Sequence, residues 1–221
     1  LRIDDPATTR TGDVSFDFWF KPDQPTVTWQ PIVYKGSGTG VNGREYTLWL
    51  NASGFLHLTS SDESGQIDAN TPGGAIVWDE WTHVTAVVDR SAKQLRLYLN
   101  GVLSASRALR DAPSVTVTEP LYLARSLEDG IGFQGAMAGF RLYGAALSDA
   151  DATNLAANRA VAGAIVSLPM TEAPGAATLT GPAGTPAATV VDSTASLGGV
   201  FKGRLDLAGQ VDVYRFTLTE P

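Results

Sequence analysis

The chain has 221 residues, of which 43% are hydrophobic, so it is long enough to bury a substantial core. Its net charge of −7 argues against nucleic acid or an anionic membrane as a partner, because both attract basic patches. The absence of cysteine excludes disulfides and zinc–cysteine sites, and no apolar run is long enough to span a membrane. The first residues lack a signal-peptide pattern, so we expect a segment cut from a longer protein.

Segments in which apolar and other residues alternate recur along the first two thirds of the chain. This period of two places Phe16, Phe18 and Phe20 on one face of a strand. The predicted strands are residues 14–21, 31–35, 44–51, 55–60, 82–88, 94–99, 102–107, 121–124 and 134–143. The polar residues 60–74 predict a long loop or two very short strands. Short strands separated by turn signals indicate an all-β fold, an antiparallel β-sandwich.

Two local signals add a hairpin and a helix to this pattern. Residues 79–101, DEWTHVTAVVDRSAKQLRLYLNG, predict an antiparallel hairpin that ends in a type I′ Asn-Gly turn. Ser148 has the character of a helix N-cap, and Asp149 and Asp151 follow where they complement the helix dipole. We therefore expect one short helix over residues 149–157.

Six motifs follow one another in the order and spacing of a known domain family. They are SFDFWFKPD, PIVYKG, REYTLWLNASGFLHL, EWTHVTAVVD, LRLYLNG and FQGAMAGFRLYGAALSDADATNL. Together they resemble the laminin-G-like domains of the concanavalin A-like jelly-roll superfamily. The resemblance implies two antiparallel sheets, one of them concave, that bind glycans, proteins or lipids, often beside calcium. Many relatives carry a calcium-holding Asp in the last strand, and Ala138 stands at that position here.

The composition changes after the predicted helix. Residues 172–189 are rich in Ala, Gly, Pro and Thr and cannot bury a core of their own, which predicts a linker or an extended strap. The final run, GGVFKGRLDLAGQVDVYRFTLTE, resembles bacterial pre-peptidase C-terminal-like domains and the split domains of repeat-in-toxin (RTX) adhesins. The predicted organisation is a jelly roll over residues 1–168, a linker or strap over 169–190 and a partial β-domain with a hairpin over 191–221.

The sequence favours binding over catalysis. Retaining glycoside hydrolysis requires two carboxyl groups about 5 Å apart, and the Glu-x-Asp-x-x-Glu strand of sandwich glycosidases is absent here. Asp62 and Glu63 are adjacent and would diverge in a strand. His83 lies inside the EWTHV motif, and His57 lies in a half-buried strand without a Ser or Asp partner pattern. We expect a structural role for His83 and no nucleophilic triad.

Aromatic and amide side chains are the candidate ligand contacts, because exposed rings can stack on sugar faces. Trp49 stands opposite the face of Leu48 and Leu50, which favours a place on the concave sheet. Trp81 matches the family core and is expected to be buried. Core packing is the alternative role for each tryptophan. The candidate ligand-binding residues are Trp29, Trp49, Trp78, Tyr34 and Asn70.

Acidic residues in two loops and in the tail are the candidate metal ligands. Calcium requires six to eight oxygen ligands from carboxylates, amides and carbonyls, and these segments supply such atoms without a diagnostic spacing. A solvated acidic loop is the alternative interpretation. The candidates are Asp62, Glu63, Asp68, Asp129 and Asp212.

These observations predict a non-catalytic, lectin-like module of a large secreted bacterial adhesin at the cell surface. We expect a monomeric domain, flanked by neighbouring domains of a longer chain, that binds a surface glycan with the help of Ca2+. The alternatives are a carbohydrate-binding accessory module of a secreted polysaccharide-degrading enzyme or protease, and a structural spacer without a ligand.

Overall fold

The computed structural model describes residues 1–4, 12–129, 131–170, 178–181 and 188–189, and the backbone of 214–216. Its strands are β1 (Arg2–Ile3), β2 (Val14–Pro22), β3 (Trp29–Gly36), β4 (Arg44–Asn51), β5 (Phe55–Asp62), β6 (Gly65–Asn70), β7 (Thr82–Asp89), β8 (Gln94–Leu99), β9 (Val102–Ala108), β10 (Leu121–Leu123), β11 (Gly135–Tyr143), β12 (Ala164–Leu168), β13 (Thr178–Leu179), β14 (Ala188–Thr189) and β15 (Tyr214–Phe216). One helix, α1, spans Asp149–Ala156, and a 3-10 turn covers Val41–Gly43.

The strands form two antiparallel sheets. The eight-stranded sheet has the order β13-β14-β1-β10-β3-β4-β5-β6. The seven-stranded sheet has the order β12-β11-β2-β7-β8-β9, and β15 also pairs with β11. This architecture confirms the predicted all-β antiparallel sandwich with one short helix.

The inner faces of the two sheets bury a continuous aromatic and aliphatic core. The three phenylalanines predicted to share a face of β2 are completely buried. Phe16 lies between Tyr46 of β4 and Phe140 of β11, with ring centroids 6.1 and 6.4 Å apart. On β4 and β5 the inward residues are Leu48, Leu50, Leu56 and Leu58, all fully buried or nearly so. The residues between these positions therefore point to the outer face of the eight-stranded sheet.

The polar stretch of residues 60–74 contains strand structure, which was one of its two predicted alternatives. β5 continues to Asp62 and returns as β6, with Thr59 opposite Asp68. The apolar signal of β6 is confined to Ile67 and Ala69, which are buried, while Asp68 between them faces outward. A strand with only two inward apolar side chains has little hydrophobic signal, and this explains why the sequence did not decide between a loop and strands.

The prediction that Trp81 is buried is also wrong, since 38% of this residue is exposed. The reason is strand parity. The inward residues of β7 are even-numbered, beginning with Val84 and Ala86. Trp81 shares the odd parity of His83 and so points away from the core.

Helix α1 begins at Asp149, as predicted. The Ser148 side chain accepts a hydrogen bond from the Asp151 backbone, and the Asp151 carboxylate accepts one from the Ser148 backbone, which forms a capping box. The helix covers a second apolar cluster outside the seven-stranded sheet, comprising Val87, Tyr98, Tyr143, Leu147, Ala152 and Leu155. No helix in the described part of the chain has the length and hydropathy that crossing a bilayer requires.

Parts of the C-terminal third join the sandwich. β14 pairs with both β1 and β13 at the edge of the eight-stranded sheet. β15 pairs antiparallel with the start of β11, where Met137 lies opposite Tyr214. The rest of the predicted C-terminal hairpin, including Asp212, lies outside the described residues, and the domain boundaries at 168 and 190 remain predictions.

A buried ionic cluster connects three strands on the outer side of the seven-stranded sheet. Asp17 of β2 accepts hydrogen bonds from Arg141 Nε and Nη2 at 3.0 and 2.6 Å. His83 Nε2 lies 3.1 Å from the same carboxylate, and both the His83 and the Asp17 side chains are completely buried. The structural role expected for His83 is consistent with this position.

Asp17→Asn should lower the free energy of unfolding by about 3 kcal/mol, because it leaves a largely buried guanidinium without its counter-charge. Arg141 keeps 26% of its side chain exposed, which places the loss at the lower end of the range for buried pairs. Urea denaturation followed by circular dichroism measures it. Asp4→Asn, in the exposed pair with Arg2, is the control and should leave the midpoint unchanged. Equal midpoints for all three proteins would contradict the assignment.

Gly135→Ala should be strongly destabilising. Gly135 has a φ of +142°, and a Cβ there would collide with the Lys21 carbonyl oxygen and lie 2.9 Å from the Pro22 Cα. We expect a backbone cost of about 1–3 kcal/mol together with an overpacking cost of about 1–3 kcal/mol. Gly163→Ala, at a φ of +92° with open space around it, should show only the backbone cost. Thermal unfolding of the two variants separates the backbone cost from the overpacking cost. Equal losses of stability in the two variants would show that overpacking contributes nothing.

Candidate functional site

Strand parity gathers most of the sequence-predicted contacts on one surface, which we call the outer face. It consists of the outward positions of β3, β4, β5 and β6. In one cross-strand row Trp49 lies opposite His57, which lies opposite Asn70. In the next row Tyr34, Thr47, Thr59 and Asp68 follow one another across the four strands.

Three half-buried rings form an aromatic cluster at one end of the outer face. The Trp29 ring lies 5.6 Å from the Phe55 ring at an interplanar angle of 88°. It lies 5.2 Å from the His57 ring at 60°. Edge-to-face contacts of this kind hold rings in fixed orientations. Phe55 and His57 were not predicted as ligand contacts, although their odd parity on β5 places them beside Trp49.

Hydrogen bonds fix the histidine of this cluster. His57 Nδ1 lies 2.6 Å from Asn70 Oδ1, and its Nε2 lies 3.3 Å from Asp68 Oδ1. Asp68 also accepts hydrogen bonds from the Thr59 hydroxyl at 2.9 Å and from the Gln66 amide at 2.8 Å. His57 therefore has an acidic neighbour that no sequence pattern indicated. Both of its partners belong to β6, across the β5–β6 hairpin.

The other end of the outer face is closed by a charged cover. The Arg44 guanidinium lies 4.8 Å from the centre of the Trp49 ring and donates two hydrogen bonds to Glu128, at 2.8 and 2.7 Å. The Tyr34 hydroxyl donates to Glu128 at 3.2 Å. Burial raises the pKa of Tyr34, and the nearby Glu128 charge raises it further, so the phenol stays protonated. Trp49 is only 2% exposed beneath this cover.

The structure thus brings four of the five candidate ligand contacts to one face. Trp29 and Asn70 lie at its accessible end, whereas Trp49 and Tyr34 lie under the cover. Trp78 does not belong to this face. It is half-buried and packs against the main core.

The candidate metal ligands are dispersed. Asp62 receives two hydrogen bonds of 2.8 Å from Arg110, which hold the pKa of this carboxyl below its usual range. Asp129 accepts hydrogen bonds from Ser126 and Ile131 within its own loop. Glu63 is exposed at the β5–β6 turn.

Among the described residues, no three carboxylate or imidazole groups come together in a cluster that could hold a metal ion. Asp68 is occupied by its neighbours on the outer face, and Asp212 lies outside the described part of the chain.

Solved structures share this fold. The CBM40 module of the Ruminococcus gnavus IT-sialidase, bound to α2,3-sialyllactose, superimposes with a TM-score of 0.58 at 18% identity. The match covers 68% of this chain and 85% of that module. A candidate carbohydrate binding protein from Bacteroides ovatus gives a TM-score of 0.63 at 14% identity, covering 85% of this chain and 54% of that one.

A heptameric pentraxin from Limulus polyphemus matches with a TM-score of 0.52 at 13% identity, covering 70% of this chain and 72% of that one. At these identities the likeness establishes the fold alone. Among curated proteins, none matches the chain.

The sequence itself carries the family assignment. The profile described as the Concanavalin A-like lectin/glucanases superfamily matches residues 1–153. This region includes β1 to β11 and most of α1, and so the whole outer face. The chain therefore belongs to the laminin-G-like branch of the concanavalin A-like lectin/glucanase superfamily.

Proposed function

We propose that this protein is a non-catalytic glycan-binding module and that the outer face of its eight-stranded sheet holds the sugar. The observation that carries the proposal is the half-buried ring cluster of Trp29, Phe55 and His57 beside the exposed Asn70. A pyranose has an apolar C–H face and a rim of hydroxyl groups. An aromatic surface bordered by a few fixed polar groups is complementary to both.

Each residue of this end has a distinct part in the proposed contact. Trp29 is the largest ring of the cluster and offers the main apolar surface. The side-chain carbonyl oxygen of Asn70 accepts the hydrogen bond with His57. Its amide nitrogen can therefore donate to a sugar hydroxyl. Asp68 contacts His57 Nε2 at 3.3 Å and so keeps the ring oriented.

The covered end has a supporting part in this proposal. Trp49 and Tyr34 contact a ligand only if the Arg44–Glu128 pair separates. Both members of that pair are largely buried and joined by two hydrogen bonds, so separating them is costly. The proposed site is therefore the Trp29 end of the outer face, and the covered rings lie beside it without contacting the sugar.

The biological setting that we propose is a monomeric module of a secreted bacterial adhesin at the cell surface, flanked by other domains. The resemblance of the C-terminal run to adhesin split domains supports this setting. The second setting is an accessory module of a secreted enzyme. Its support is that one structural neighbour is a module of a sialidase whose structure contains sialyllactose.

Trp29→Ala should reduce glycan binding at least tenfold, ~1.4 kcal/mol, because it removes the main stacking surface. A glycan array identifies a ligand for the unaltered protein, and calorimetry with that ligand measures the loss. Trp81→Ala is the matched control, since it removes an exposed tryptophan from the other sheet. Unchanged affinity in Trp29→Ala would exclude the outer face as the site. A protein that binds no glycan on the array would be better described as a spacer or a protein-binding module.

Whether calcium assists this binding is tested separately, on the same array in millimolar calcium and in EDTA. We expect binding by the outer face to persist in EDTA, because its described side chains supply aromatic and hydrogen-bonding contacts without a metal. Loss of binding on chelation, reversed by added calcium, would show that a metal is required. Mutation of Asp129 and Asp212 would then locate it.

A further inference from the structure

A separate cavity of about 390 Å³ lies at the opposite end of β5 from the ring cluster. Phe55 at the start of β5 and Ser61 near its end are roughly 20 Å apart at about 3.3 Å per residue. The cavity is lined by the end of β5, Ile67 of β6, the β7–β8 turn and the loop of residues 109–116, and it is partly open to solvent. Its volume lies at the lower end of the range for small-molecule sites, about 300–1,000 Å³.

Five charged side chains line this cavity, three of them cationic. Arg110 is neutralised by Asp62, which accepts its Nε and Nη2 hydrogen bonds at 2.8 Å each. Arg110 also donates to the Gly65 carbonyl at 2.6 Å, so its position is fixed. The rigid Asp62–Arg110 pair adds hydrogen-bonding groups to the wall without adding net charge.

The other two cations differ in how freely they can meet a ligand. Arg90 forms no ion pair within 4 Å among the described residues, and its Nη1 and Nη2 donate to the backbone carbonyls of Gly12 and Glu45. The carboxylates of Glu45 and Asp13 lie near enough to offset part of its charge. Lys93 contacts Asp111 at 2.7 Å, with 51% and 92% of these side chains exposed. An exposed pair of this kind opens at little cost. The cavity can therefore offer positive charge to a ligand mainly from Lys93, with Arg90 in the same wall.

The rest of the cavity wall consists of hydroxyl-bearing and apolar side chains. Hydroxyl groups come from Ser60, Ser61, Ser114 and Thr116. Ile67, Leu109 and Pro113 supply apolar surface. The carboxylates of Asp62 and Asp111 would repel a compact polyanion such as phosphate, but they can accept hydrogen bonds from hydroxyl groups.

We propose that this cavity binds an acidic monosaccharide, a sugar that carries one carboxylate on a polyhydroxylated ring. The carboxylate lies near Lys93 and Arg90, and it replaces Asp111 as the partner of Lys93. The hydroxyl groups of the ring bond with the Asp62–Arg110 pair and the hydroxyls of residues 114 and 116. The apolar wall contacts the C–H face of the ring. This site is independent of the ring cluster of Trp29, Phe55 and His57 and shares no residue with it.

The test is a titration followed by two-dimensional 1H–15N NMR, which reports backbone amides and arginine Nε–H groups separately. The probes are glucuronate, galacturonate and N-acetylneuraminate, and glucose is the matched neutral control for glucuronate. We expect at least one acid to shift the Arg90 and Arg110 Nε–H signals and the amides of residues 109–116. Glucose should leave them unchanged, and added salt should weaken the effect.

Lys93→Gln is the diagnostic variant, because Lys93 is exposed and its loss should not affect folding. It should raise the dissociation constant for the bound acid at least threefold, whereas Arg2→Gln, a surface cation outside the cavity, should not change it. Trp29→Ala should also leave this binding intact, which separates the cavity from the outer face. Arg90→Gln is a second variant, expected to abolish binding if its amide spectrum shows a native fold.

Three results would overturn the proposal. One is that none of the three acids shifts the cavity signals. Another is that glucose shifts the cavity signals as strongly as glucuronate does. Recognition would then not depend on the cationic side chains. The third is that shifts occur only around Trp29 and His57, which would support the outer face and exclude the cavity.

Discussion

Burial of one face of each sheet against the other is the constraint on which the rest of this molecule depends. The inward phenylalanines of β2 and leucines of β4 and β5 have no access to solvent or almost none. Because successive side chains of a strand point to opposite sides, filling the core also decides which residues face outward. Trp29, His57 and Asn70 reach one surface because their neighbours in the sequence are required inside.

The same parity explains how much of the site could be predicted from the sequence. Alternation along β4 placed Trp49 on the outer face correctly. It did not predict that Trp49 is covered, because the cover depends on an ion pair between Arg44 and Glu128, residues separated by 84 positions. Contacts of such long sequence separation have no signature in a local pattern. The burial predicted for Trp81 came from a family motif, whereas the alternation that follows in β7, extended back by one residue, indicates an outward position.

Polar residues in the chain were harder to interpret than apolar ones. The stretch that contains Asp62, Asp68 and Asn70 has the composition of a solvated loop, and a loop suggests free carboxylates for a metal. In the hairpin that forms instead, Asp68 is bonded to three neighbours and Asp62 to Arg110. A count of acidic residues shows which ligand atoms exist, but only the fold shows which of them are already occupied. The two proposed sites consequently lie at opposite ends of the strand β5, one mainly aromatic and the other mainly ionic.

The hydrogen bonds that fix the ring cluster have a thermodynamic consequence. Association normally costs about 0.5–1.5 kcal/mol for each flexible side chain that becomes ordered at an interface. His57 is already held by Asn70 and Asp68, and Trp29 by its two edge-to-face neighbours. A ligand bound at this surface would contact side chains that already lost their rotamer entropy during folding, so binding would not pay that cost again. The cluster is thus preorganised, and even a small contact area can yield a measurable residence time.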